Sequence, residues 1–130
     1  MLCICKLAMR RKSNRYLIDF GPELQCGAGL SFPHNGPVVI NSGAIIGKCC
    51  TIHPQVLIGS NRNKMKSPII GNYVFIGNGV KIIGPCVIGD WCFIAPGAII
   101  TNDVPANSVV GCGLNNIINN NGKHHVELYL

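Results

Sequence analysis

Four histidines and eight cysteines are the side chains here whose chemistry could reach beyond packing. An imidazole is the usual general base at neutral pH, because its ordinary pKa lies close to the working pH. A thiolate can be a nucleophile or a metal ligand. The cysteines are placed for neither role. Cys50, Cys86 and Cys92 each fall four residues after an aliphatic position and Cys26 occupies such a position itself, where a thiol serves as a small hydrophobe. Cys3 and Cys5 form C-x-C and Cys49 adjoins Cys50, neither matching the paired C-x-x-C of a zinc site. A reduced, cytoplasmic protein is expected. No cysteine or serine stands in a recognised nucleophile setting, so any group transfer is expected to be direct.

Among the histidines, His124 and His125 sit in the polar C-terminal segment and read as solvated. His53 directly follows the core aliphatic Ile52 and reads as a surface side chain, nineteen positions from His34 and so about one coil away. His34 is the conspicuous one. Taken alone, a histidine in a turn is ordinarily solvated or capping, but Phe32-Pro33-His34-Asn35-Gly36 lies directly before the place where an otherwise regular repeat slips by two residues.

That repeat is what must position it. From Phe20 to about Val110 an apolar residue returns every sixth position, most strictly at Ile40, Ile46, Ile52, Ile58 and then from Ile70 to Ile100. The residue four further on is compact, as at Ala44, Val56, Val74, Val80 and Ala98. Six matches neither the helical period nor plain alternation, so each hexad is a short strand followed by a turn. No such unit buries a core alone. Stacked coils would pile the aliphatics inside a prism, and the period therefore predicts an all-β parallel β-helix.

Composition agrees with a solenoid: 12% of residues are charged, 48% hydrophobic, and 16 of 130 are glycine. The length suits one domain. The division expected is a basic and apolar segment over 1–18, the repeat over 19–111, and a tail without readable period over 112–130. A net charge of +6 could suggest nucleic acid, but the cations cluster in Lys6 to Arg15 and Arg62 to Lys66, with no interleaved aromatics. Nucleic acid is not an expected partner. The apolar run Met1 to Met9 is too short to span a bilayer and its charges follow it, unlike a secretory signal. It reads as an arm packed on the end of the prism, with peripheral membrane contact as the other reading.

The stretch Gly29 to Ile40, with His34 followed closely by Gly36 and an aliphatic run, resembles the signature of the serine acetyltransferases and their shorter, sugar-modifying relatives. In that family an aspartate fifteen residues upstream pairs with the histidine, and this chain has Asp19 at that spacing. The similarity runs through Ser60, breaks in a loop, and resumes from Pro68 through Gly111. It implies left-handed coiling, three hexads per turn, homotrimeric assembly, and acetyl transfer from acetyl-CoA to a hydroxyl of serine or a sugar. His34 would be the base and Asp19 would orient it. Backbone N–H groups of Gly59 and Ser60 would receive the oxyanion.

Residues 59–69 (GSNRNKMKSPI) interrupt the period and are expected to project as a loop. Such a loop helps cover the donor in the related enzymes, so Arg62, Lys64 and Lys66 would face coenzyme A phosphates. Asn78 and Pro96 map onto turns lining the pantetheine arm, with Lys81 near a phosphate; as plain corner residues they need no ligand. Trp91 points outward by register, toward a neighbouring subunit or a ligand.

Several features depart from the family. Its loop ends in histidine-proline, where this chain has Ser67-Pro68, and its large N-terminal helical domain is replaced by fewer than twenty residues. The Gly-x-Pro that commonly closes the last coil is Gly111-Cys112-Gly113. Two other classes remain: a metal-dependent protein resembling the gamma-type carbonic anhydrases, for which the repeat lacks the three histidines required, and a non-catalytic scaffold or binding module. No metal is expected.

Overall fold

The computed structural model describes residues 15–61 and 66–130. Within them the hexads wind into about five coils of three short sides each. Strands β1 (Ile18–Phe20) and β2 (Gln25–Cys26) form the first coil, whose third side passes through Ser31, bridged to Thr51. The second coil holds β3 (Val38–Ile40), β4 (Ile45–Ile46) and β5 (Thr51–Ile52). The third holds β6 (Leu57–Gly59), β7 (Ile69–Ile70) and β8 (Phe75–Ile76). Next come β9 (Lys81–Ile83), β10 (Val87–Ile88) and β11 (Phe93–Ile94). The fifth coil has β12 (Ala98–Ile100) and β13 (Val109–Val110), with Val104 bridged to Ile88 between them. After it run β14 (Gly113–Leu114), β15 (Ile117–Asn119) and helix α1 (Gly122–Glu127).

Equivalent strands of successive coils pair in parallel, giving three sheets around one prism: β1-β3-β6-β9-β12-β14, β2-β4-β7-β10, and β5-β8-β11-β13. The fold is the left-handed parallel β-helix, matching solved structures that share it. The period is obeyed in the packing. Every isoleucine from Ile46 to Ile100 at the sixth position is at most 2% exposed, and the compact residues beside them are equally buried. Each such aliphatic contributes roughly 1.5–3 kcal/mol on leaving water. Ile45, Ile69 and Val87, the residues just before the core position in the second sheet, point outward and are 40–46% exposed.

The corners are as constrained as the sides. A Cβ on Gly47 would collide with the Gly71 carbonyl oxygen, so only glycine lets the second and third coils approach there. Side chains supply the corner's missing acceptors: Asn72 Oδ1 accepts from the Lys48 N–H at 3.0 Å, and Asp90 Oδ1 from the Asn72 N–H at 2.7 Å.

One expectation needs correction. Cys26 is in register with Ile46 but exposed, because the first coil has a neighbour on only one side among the described residues. The segment after Val110 has no readable period yet is ordered. β14 extends the first sheet, β15 pairs antiparallel with β13, and α1 docks on the outside of β11. Asn107 pins the helix: its Nδ2 donates to the Asn120 carbonyl at 2.6 Å, and its Oδ1 accepts from the Lys123 N–H at 2.7 Å. Val126 is then 3% exposed. Among the described residues no helix is long and apolar enough to cross a membrane.

Candidate active site

His34 lies in the corner that joins the third sheet to the first. The Ser31–Thr51 bridge sets Phe32 level with Ile52, yet the run from Phe32 to Ile40 is two residues longer than that from Ile52 to Ile58. The slip in the period is therefore extra length in this corner. It leaves His34 and Asn35 exposed, outside the prism. The turn rests on the coil above it: a Cβ at Gly36 would lie 2.7 Å from the Pro54 Cβ, so the absent side chain is what seats it.

The same corner continues up the helix. The Gly79 N–H donates to the Pro54 carbonyl at 3.0 Å and the Gly97 N–H to the Asn78 carbonyl at 2.9 Å. Asn78 and Pro96 thus stand above His34 in one column, both exposed. Lys81 turns back toward it, its Nζ donating to the Gly79 carbonyl at 3.4 Å. A Cβ at Gly79 would meet nothing within 4 Å, so a flat, open edge of backbone is available to a ligand.

His53, expected as a surface side chain about one coil from His34, is the side chain against it. Their ring centroids are 5.5 Å apart, edge to face at 62°. On its other side His53 meets Phe75 at 4.9 Å. Phe75 stacks on Phe93 at 4.7 Å, and Tyr129 beyond α1 lies 4.5 Å from Phe75. His125, expected in solvent, packs 5.3 Å from Phe93. Burial first, and then the neighbouring His34, hold His53 below the ordinary imidazole value. The signal for His53 was its place: it follows Ile52 as Gly77 follows Ile76, so the coil repeat sets it beside the His34 turn.

Other expected site residues are not brought to His34 within one chain. Asp19 faces outward from the middle of β1, level with Val39, and no hydrogen bond or ion pair joins it to His34. Gly59 ends β6 and Ser60 follows it, at the opposite corner of the first sheet, separated from the His34 corner by a strand of about 10 Å. There Asn41 ties Ser60 to Ser67, on either side of the residues outside the description. Its Oδ1 accepts from Ser67 Oγ at 2.8 Å, and its Nδ2 donates to Ser60 Oγ at 3.5 Å. Lys66 is exposed on the loop's return; Arg62 and Lys64 lie outside the described residues. A cavity of about 360 Å³ opens at this edge, lined by Asn61, Gly84, Pro85, Asn102 and Asp103 among others.

The buried thiols are held protonated. Burial pushes Cys50 up to about 11 and raises Cys86 and Cys92 as well. Trp91 stacks flat on Tyr73 at 4.2 Å, with Lys123 Nζ 5.2 Å from its ring, so its outward face is taken up by the chain itself. Among the described residues no three His, Cys, Asp or Glu side chains form a group that could hold a metal ion.

Residues 67–102 match the bacterial transferase hexapeptide family, described by six repeats. The chain is 30% identical over 95 residues to the serine acetyltransferase of Synechococcus elongatus, covering 72% of this chain and 39% of that protein. It is 34% identical over 94 residues to the Helicobacter pylori serine acetyltransferase, covering 70% and 54%. Its fold superposes on the Brucella abortus serine acetyltransferase solved in complex with coenzyme A, with a TM-score of 0.79 and 29% identity over 85% of this chain and 45% of that one. The chain spans about half or less of the length of these relatives.

Proposed function

Because the chain is a serine acetyltransferase-like member of the hexapeptide-repeat family, we propose that it transfers an acetyl group from acetyl-CoA to the hydroxyl of a small acceptor. The observation that carries this reading is the corner column. An exposed histidine with the family's spacing stands below Asn78 and Pro96, on an edge of backbone open to a ligand. The donor's fit is supported by Gly79, which offers no side chain, and by Lys81 beside it for a phosphate.

In this reading His34 accepts the acceptor's proton as its oxygen attacks the thioester carbonyl, and returns a proton to the departing thiol. Transfer is direct. Asp19, at the family's fifteen-residue spacing, is read as the group that stabilises the imidazolium as it forms. The backbone N–H groups of Gly59 and Ser60 stabilise the developing oxyanion, a contribution of a few kcal/mol for a well-placed donor. Since these two groups lie at the far edge of the first sheet, the site is completed by a neighbouring copy in a homotrimer. Arg62, Lys64 and Lys66 are read as the cations that meet the donor's phosphates. The relatives' names favour serine as the acceptor, and a sugar hydroxyl is the alternative.

The test is thiol release from acetyl-CoA against serine and a panel of free and nucleotide-linked sugars, with wild type and His34→Ala side by side. Acceptor-dependent release abolished in His34→Ala is expected. Absence of acetyl-CoA binding would overturn the reading in favour of a scaffold.

A further inference from the structure

We propose that His53 is a positioning residue, holding the His34 ring in the orientation that transfer requires. The inference rests on the reading of His34 as the base, and it begins with what His34 lacks. Its corner is two residues longer than those above, and the ring is exposed. No hydrogen bond or ion pair ties it to Asp19 in this chain. An exposed imidazole on a lengthened turn has several staggered rotamers open to it, and a base must be held near one geometry to be effective.

His53 supplies the missing constraint. Its ring meets that of His34 edge to face at 5.5 Å, within the range in which aromatic pairs have a preferred mutual orientation. It is itself well held. The backbone N–H of His53 donates to the Ile76 carbonyl at 3.0 Å, and Pro54 restricts the residue before it to extended geometry. Behind the ring stands Phe75, only 5% exposed, between His53 and the Phe93 stack. Tyr129 is laid over that stack from beyond α1. The base is therefore the end of a row of rings anchored on the buried Phe75, with His53 and Phe93 half-buried beside it and Tyr129 exposed on its outer side.

A neutral partner suits this place. A charged His53 would oppose the imidazolium formed on His34 during transfer, whereas the burial that disfavours charge on His53 leaves it a packing surface at neutral pH. Positioning by ring contact has a distinct consequence: phenylalanine should replace His53 and alanine should not.

The experiment compares wild type, His34→Ala, His53→Ala and His53→Phe as full-length chains. It reads steady-state kinetics and the imidazole proton spectrum together. Expected are a kcat about 10- to 100-fold lower in His53→Ala with acetyl-CoA KM little changed, and recovery to within about threefold in His53→Phe. The His34 ring signals should shift in His53→Ala and return toward wild type in His53→Phe. If His53→Phe loses as much kcat as His53→Ala, ring positioning is overturned in favour of a hydrogen-bonding role. Unchanged kcat in His53→Ala, with His34→Ala inactive, overturns it outright while leaving the transferase reading intact. If wild type itself releases no thiol, the transferase reading fails and with it the base to be positioned, overturning the proposal; the spectra then show only whether the rings touch.

Discussion

Replacing Ile70 by alanine probes the prism more sharply than any change at its surface, because the neighbouring residue is an internal control. Ile69 and Ile70 share strand β7, have identical side chains, and differ in direction: Ile70 is 1% exposed and Ile69 43%. Ile70 sits level with Ile46 below and Ile88 above. Shortening it to alanine removes about three buried carbons, or ~2.4 kcal/mol at 0.8 kcal/mol each. The space left cannot readily close. The Gly47 N–H donates to the Ile70 carbonyl at 2.8 Å, and the Gly71 N–H to the Ile88 carbonyl at 2.8 Å, so the ladder fixes the spacing of the coils. An unrelaxed cavity adds to the transfer cost, and a total of about 3–4 kcal/mol is expected for Ile70→Ala. For Ile69→Ala, which loses a half-exposed side chain, about 1 kcal/mol or less is expected. Urea unfolding followed by far-UV circular dichroism at two protein concentrations measures both. Equal losses for the two variants, independent of protein concentration, would refute the assignment of inward and outward faces. A loss for Ile69→Ala that shrinks as the concentration rises would instead report an interface.

Three further outcomes are expected. Asn107→Ala removes the side-chain bonds to Asn120 and Lys123. It should raise amide exchange across α1 by at least about tenfold while leaving the coils protected, since two such bonds are worth roughly 1–3 kcal/mol; equal protection of the helix would contradict its pinning by that residue. Asn41→Ala unties the bases of the loop, so protease nicking between residues 60 and 67 should accelerate with little change in the unfolding midpoint; an unchanged nicking rate would count against it. The depressed pKa of His53 makes stability pH-dependent: the unfolded residue takes up a proton near the ordinary imidazole value of 6.5 while the folded one resists. Its contribution is complete above that value and is lost as pH falls through the window below it. Wild type should lose more stability than His53→Phe between about pH 7.5 and 5.5, and parallel curves would exclude the linkage.

Much of the fold was legible because a six-residue period specifies direction as well as element. Ile46 to Ile100 could be assigned inward before any contact was known, and so could the compact positions beside them. The His34 turn was legible for the converse reason, since two extra residues stand out against a strict beat. The ring row was not. His53, Phe75, Phe93 and Tyr129 are far apart in sequence and become neighbours only through the coil pitch and the docking of α1, and no periodicity encodes that docking. The tail was opaque because its order comes from hydrogen bonds made by Asn107, a residue whose type announces a turn and nothing more. Spacing also could not reveal that Gly59 and His34 occupy opposite edges of one sheet. A linear distance along a solenoid says which coil a residue is in more readily than which side of it faces a ligand.

The antiparallel strand β15 gives the third sheet a finished end. A solenoid of identical coils has nothing intrinsic to stop another chain from continuing it, since each exposed rim repeats the one beneath. Here the third sheet terminates in a strand of reversed direction, Ile117–Asn119 on Val109–Val110, and the chain then folds back outside. A second molecule arriving end-on would find the polarity wrong for the parallel register used everywhere else. The segment that looked least regular in the sequence thus closes one of the three sheets to parallel continuation.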